Sequence, residues 1–185
     1  MKIFKIYSLI IVFFFSLSVF NIAHADCNIS NKSALKGKDL AGCDLQNANL
    51  EVAVLEGVDL EGANLTGANL KGADLYGVNL RDAVLKNANL AGANLVGANL
   101  IDVDLTGAYL KGANLKNANL IDANLLRANL ERANLEGANL RDVVFQGAVF
   151  EGAFLNGANL EGAKLAGADF KDAVFEGAFS IREFI

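Results

Sequence analysis

The chain has 185 residues, is 53% apolar and carries 21 acidic against 16 basic side chains, a formal net charge of −5. Such an acidic balance without a basic stripe disfavours binding to nucleic-acid phosphates. The only His is His24 and the only Met is Met1, so a chain shortened past them has no imidazole for Ser-His-Asp or Cys-His catalysis.

Residues 1–25 read as an addressing segment. Lys2 and Lys5 form a basic start, Ile6 to Phe20 an apolar centre, and Ala23-His24-Ala25 a small-residue cleavage site. Cleavage after Ala25 is the expectation, leaving one domain. The alternative is an uncleaved anchor, since Ile3 to Ala23 is just long enough to span a bilayer of about 20 apolar residues. Cys27 follows His24-Ala25-Asp26 and so lacks a lipoprotein box.

Residues 26–39 are polar and irregular, and read as an N-terminal cap over the repeat that follows. Cys27 lies here, and Cys43 falls at an inward position of the repeat. Export permits a disulfide between them. Its loop of about 17 residues stabilises by about 3 kcal/mol in the chain-entropy picture. The alternative is a buried Cys43 thiol acting as a small apolar residue, with Cys27 free.

From Leu40 to Phe175 every fifth residue is Leu or Phe, and from Cys43 to Ala173 the residue two places before it is Ala, Val or Cys. A period of five fits neither a helix nor a long strand. Ala-x-Leu is a short extended piece, and the pair after it is rich in Gly, Asn and Asp, which suit turns and positive φ. A chain that bends at equal intervals closes into coils, and stacked coils bury each other's apolar faces. Leu or Phe and the small residue point inward, and the other three positions point outward. Asp82, Asp102, Asp122 and Asp142 recur twenty apart at one turn position, which points to twenty residues per coil.

Units such as Ala63-Asn64-Leu65-Thr66-Gly67 closely resemble the pentapeptide-repeat family, with its Ala-Asp/Asn-Leu-x-x pattern. The resemblance implies an all-β fold, a right-handed quadrilateral β-helix over residues 40–177. At twenty residues a coil that makes roughly seven coils and a rod of about 30–35 Å. The position before the central residue departs from Asn or Asp at Val54, Val84, Tyr109, Val144, Val149, Phe154, Lys164 and Val174.

The central positions are Leu to Leu140 and then include Phe145, Phe150, Phe170 and Phe175. Residues 178–185 leave the register, because Ser180 stands where Leu or Phe is due. This apolar tail reads either as a cap on the last coil or as a dimer contact, with Phe175, Phe179 and Phe184 as the candidate end contact. Some members of the family are known to dimerise through C-terminal coils.

No residues mark a catalytic site, a bound cofactor or a zinc site. The Asp82, Asp102, Asp122, Asp142 ladder places carboxylates near 5 Å apart. Three readings attach to it: a glycosidase-like carboxylate pair, a bridged calcium ion, and turn-forming Asp residues bonding backbone N–H groups. The last is favoured, since an outer wall is not concave. Val96, Ile101, Ile121 and Leu126 follow central leucines where charged residues are commoner. They form a candidate partner patch, or simply β-branched stacking between coils.

The reading that follows is an exported, non-enzymatic rod serving as a protein-binding or scaffold module of the cell envelope. Its partner is a protein or envelope component, with a homodimer through the C-terminal end as a further option. The family is mainly bacterial, so the periplasm is the expected destination, with secretion or a thylakoid lumen as alternatives. A second reading is a DNA mimic that binds DNA gyrase, as the quinolone-resistance members do. The export signal and the interleaved Lys and Arg oppose it. An enzyme is the third and weakest reading.

Overall fold

In the structure, a computed structural model, residues 27, 29–32 and 35–179 are described. The addressing segment 1–25, Ser180 and Phe184 lie outside them. One residue of each unit forms parallel bridges, always to residues twenty apart in the coils above and below, from Asp39↔Asp59 to Asn159↔Phe179. One coil is therefore twenty residues and four units, and the extended pieces are isolated bridges rather than strands.

The corners explain why. In Leu65-Thr66-Gly67-Ala68 the Ala68 N–H donates to Leu65 O at 3.0 Å, closing a four-residue turn. Its third residue, Gly67, has φ +67°, the left-handed value that a type II turn requires. Where Gly is absent, this position is held by Asn47, Asn87, Asn117, Asp82, Asp102, Asp122, Asp142, Asp172, Arg127, Arg132 or Val52, all at positive φ. Val52 is the outlier among them: a β-branched residue at φ 52° that is 72% exposed.

The coils are joined by backbone bonds above and below. Leu65 N–H donates to Val84 O at 2.7 Å, Gly67 N–H to Lys86 O at 2.8 Å, and Asn64 N–H to Cys43 O at 2.9 Å. Each unit thus carries three bonds between coils, so most backbone groups are satisfied without long strands. The core is a continuous column of leucines flanked by alanines, nearly all at 0–1% exposure from Leu50 to Leu160. Alanine brings the walls close, and each leucine rests on its counterpart one coil away.

Two boundaries differ from expectation. The regular coil begins at Leu35, not Leu40: Leu35 is buried, Gly37 has φ 66° and Asp39 is already bridged. Lys38 at the usual small-residue position masks this unit in the sequence. At the other end Ala178 and Phe179, expected in the tail, stay in register. Phe179 pairs with Asn159 and donates its N–H to Ala158 O at 2.9 Å. Ala178 is still a small residue at the inward position, so the pattern breaks only at Ser180.

The aromatic half packs by ring geometry. Phe150 stacks on Phe170, one coil on, with centroids 4.7 Å apart. Phe145 meets Phe150 edge-on at 4.9 Å, and Phe175 meets Phe170 edge-on at 5.3 Å. Both arrangements are favoured by the ring quadrupole.

Candidate functional site

The outer surface is built from three columns per side. The residue before each central Leu lies on a flat face, and the two after it form a corner. On the flat faces, Asn and Asp side chains hold the corners: Asp59 Oδ1 accepts from Glu61 N–H at 3.0 Å, and Asn129 Oδ1 from Glu131 N–H at 2.9 Å. They also bond along the rod, as in Asn99 Nδ2 to Asn79 Oδ1 at 2.9 Å and Asn94 Nδ2 to Asp74 Oδ1 at 2.9 Å. The Asn or Asp of the repeat is therefore structural.

That observation corrects the reading of Asp82, Asp102, Asp122 and Asp142. Turn bonding to N–H groups belongs to the flat-face residue, three places earlier. The ladder aspartates instead occupy the left-handed corner, at φ 56–59°. They are exposed, and Asp82 and Asp142 are held by Arg81 and Arg141 at 3.3 Å. At three of these corners the flat-face Asn accepts the turn N–H, Asn79 from Arg81, Asn99 from Ile101 and Asn139 from Arg141, at 3.3–3.4 Å. At the fourth such corner the buried Asn119 Oδ1 has no partner. Among the described residues no group of three or more His, Cys, Asp or Glu is placed to hold a metal ion.

The four apolar residues Val96, Ile101, Ile121 and Leu126 are half-buried rather than exposed. Ile101 and Ile121 share one corner, one coil apart. Val96 and Leu126 sit on the neighbouring corners, and the flat faces between carry Asn99 and Asn119 on one side and Asp104 and Asn124 on the other. The structure thus brings Ile101 and Ile121 together and separates the other two from them by polar columns.

Greater exposure occurs elsewhere. Tyr76, Tyr109, Phe154, Val174 and Phe179 are the large exposed side chains besides Val52 among the described residues. Phe154 and Val174 are bridge partners on one face, and Phe179 lies round the next corner. Every one of them except Val52 and Tyr76 occupies the flat-face position, so a departure from Asn or Asp there was the available signal.

Charges are largely compensated from coil to coil. Lys111–Glu131, Lys116–Glu136 and Lys171–Glu151 each pair at 2.9 Å across twenty residues, and Lys36–Glu56 pairs at 2.6 Å. Lys86 reaches Asp104 at 3.1 Å. Burial pushes the Asp104 carboxyl up, but the Thr106 hydroxyl, the Thr106 N–H and Lys86 outweigh it and hold it below the usual Asp range. These pairs follow directly from a twenty-residue period and were not anticipated one by one.

At the N-terminal end Cys27 is bonded to Cys43 in a disulfide with Cα atoms 5.7 Å apart. Cys43 takes the inward place that Ala or Val holds in later coils. Ile29 packs on the core, and Lys32 O accepts the Val54 N–H at 3.2 Å. The opposite end is less covered: Phe170 and Phe175 are only partly buried, and Phe179 is 65% exposed. Phe175 and Phe179 lie at this end.

Comparison with known proteins places this geometry. The defining pattern of pentapeptide repeats matches in eight copies, in overlapping segments from 35–72 to 138–177. No curated protein sequence matches the chain. Among solved structures, HetL, a pentapeptide repeat protein involved in heterocyst differentiation regulation from Nostoc sp. strain PCC 7120, is 36% identical over 76% of this chain and 75% of its own, with a TM-score of 0.49. QnrB1, a plasmid-mediated fluoroquinolone resistance protein, is 23% identical over 78% of this chain and 74% of its own, with a TM-score of 0.66. A pentapeptide repeat protein from the Arabidopsis thaliana thylakoid lumen is 32% identical over 52% of this chain and 71% of its own, with a TM-score of 0.43. Such proteins form right-handed quadrilateral β-helices and are generally non-enzymatic structural modules. With the repeat matched from residue 35 to 177 and a coil of four five-residue units, the chain belongs to the pentapeptide-repeat family.

Proposed function

We propose that the protein is an exported, non-enzymatic rod of roughly seven coils that serves as a rigid binding or scaffold module in the cell envelope. The observation that carries this reading is the Cys27–Cys43 disulfide just behind the addressing segment. Such bonds persist in oxidising compartments and are rare in the cytosol. A leader cleaved after Ala25 would leave Cys27 as the second residue, free to fold back on the first coil. The partner is a protein or envelope component that docks along a side or at the C-terminal end. Ile101 and Ile121 mark the side contact, and Phe175 and Phe179 the end contact.

The gyrase-binding reading draws little from the surface. A DNA mimic needs an uncompensated row of anions, whereas Glu131, Glu136 and Glu151 are each matched by a lysine one coil away. The exposed aspartate corner is the longest column of carboxylates among the described residues, and Arg81 and Arg141 close it at both ends.

Fractionating native cells and measuring the N-terminus and mass tests the reading. A soluble envelope protein starting at Asp26 and two mass units lighter than its reduced form is the expected result. An intact Met1 in the cytoplasm would overturn it and revive the gyrase reading. For the side contact, Ile101→Lys with Ile121→Lys should abolish cross-linking to the native neighbour in intact cells, and unchanged cross-linking would dismiss that corner.

A further inference from the structure

A stack of equal coils has no natural end. Its lower edge repeats the geometry of its upper edge, so each end is a template for the other. In this protein the two ends are treated differently. Leu35, Leu40 and Leu50 are at 0–1% exposure beneath the segment that Cys27 pins to Cys43. Leu165, Phe170 and Phe175 at the opposite end are only partly buried.

We propose that the two ends are mutually complementary surfaces for a second copy of this chain, and that the Cys27–Cys43 bridge is the latch that keeps the N-terminal one covered. This goes beyond the scaffold reading and holds whichever envelope component the rod engages.

The register supports the fit. Because the coil is four-sided, a second copy turned by one side continues the stack. Its Leu35, Leu40, Leu45 and Leu50 then fall beneath Leu160, Leu165, Phe170 and Phe175. The contact repeats the leucine-on-leucine packing of the interior. The Val54 N–H, now bonded to Lys32 O at 3.2 Å, takes Ala178 O of the neighbouring copy instead. The pinned segment thus occupies one of the hydrogen-bonding places that the second copy needs. Lys32 Nζ also reaches Asn49 Oδ1 at 3.2 Å across the same edge.

Opening the latch is a two-electron step. A dithiol reductant breaks the S–S bond, Cys27 and Cys43 each take up a proton as thiols, and the reductant leaves as its own disulfide. The contact is head-to-tail and heterologous, so it does not close at two copies but extends into a filament.

The test is sedimentation velocity with electron microscopy on the full chain as purified, oxidised and then held in excess dithiol. The oxidised form should be a single short species. The reduced form, and Cys27→Ser without reductant, should at least double in average mass at tens of micromolar, with particles lengthening in whole-rod steps. Phe175→Lys, which spoils the receiving end and leaves the latch intact, should stay short when reduced. Limited proteolysis near Lys32 reports separately whether the segment lifts, and circular dichroism that the coils persist. Unchanged mass with a released segment would overturn the docking. Unchanged mass with a protected segment would overturn the latch. Growth that stops at two copies would overturn the head-to-tail contact in favour of pairing between like ends.

Discussion

At a corner, one atom decides what residue the next coil can hold. The Oδ1 of Asn47 lies where a Cβ on Gly67 would stand, and Asp142 Oδ1 does the same at Gly162. Gly42 has the same left-handed φ but nothing within 4 Å of its would-be Cβ. Ala at Gly42 should therefore cost only the left-handed penalty of about 1 kcal/mol. Ala at Gly67 should cost a further ~0.5–1 kcal/mol, since the exposed Asn47 side chain must also turn away from its preferred rotamer. Paired denaturant titrations check this, and equal losses would refute the role given to Asn47. Asp104 sets a pH dependence. Its carboxyl is held low in the folded protein, so its contribution is present above the ordinary Asp range and disappears as pH falls through the folded value. Asp104→Asn should lower stability at pH 7 and lose that deficit as the pH falls below the ordinary Asp range. A deficit that persists unchanged in acid would sink the assignment.

At the scale of a unit, the turn, the inward pair and the flat-face Asn work together, and none suffices alone. Stability in such a stack is a sum over coils and their interfaces. A defect should therefore be felt locally. Phe150 is fully buried, stacked on Phe170 and edge-on to Phe145. Phe150→Ala should cost about 3–5 kcal/mol. Amide exchange should rise in the coils around residues 130–175 and stay slow in the leucine coils around residues 60–110. Uniform loss of protection along the rod would show that the coils unfold as one unit instead.

For the whole molecule, the disulfide acts at an end rather than in the middle. It joins residues 16 apart and restrains the segment over the first coil. Reduction should lower stability by about 3 kcal/mol, or a thermal midpoint shift of roughly 6–12 °C for a domain of this size. Calorimetry of the oxidised and reduced protein measures it, and coincident transitions would mean that the segment over the first coil adds nothing. The lysine–glutamate pairs between coils are partly exposed, and each is worth little by itself. Their effect is on the surface as a whole, where they leave an acidic protein with few uncompensated rows.

Much of this architecture was legible in the residues. The five-residue period dictates inward and outward positions from Cys43 to Ala173, because no other backbone path buries every Leu and Ala at that spacing. The resemblance to pentapeptide repeats implied a coil of twenty residues, and the recurrence of Asp82, Asp102, Asp122 and Asp142 at that interval hinted at it. The starting unit at Leu35 was hidden by Lys38, and the continuation to Phe179 by the break that follows it. Only the tertiary structure decided which side chains meet between coils. It paired lysines with glutamates one coil away, as in Lys111 with Glu131, and it assigned turn bonding to the flat-face Asn rather than to the corner Asp. The reason is geometric: a period along the chain determines which residues point inward, whereas contacts on the outside depend on how corners and faces line up across successive coils.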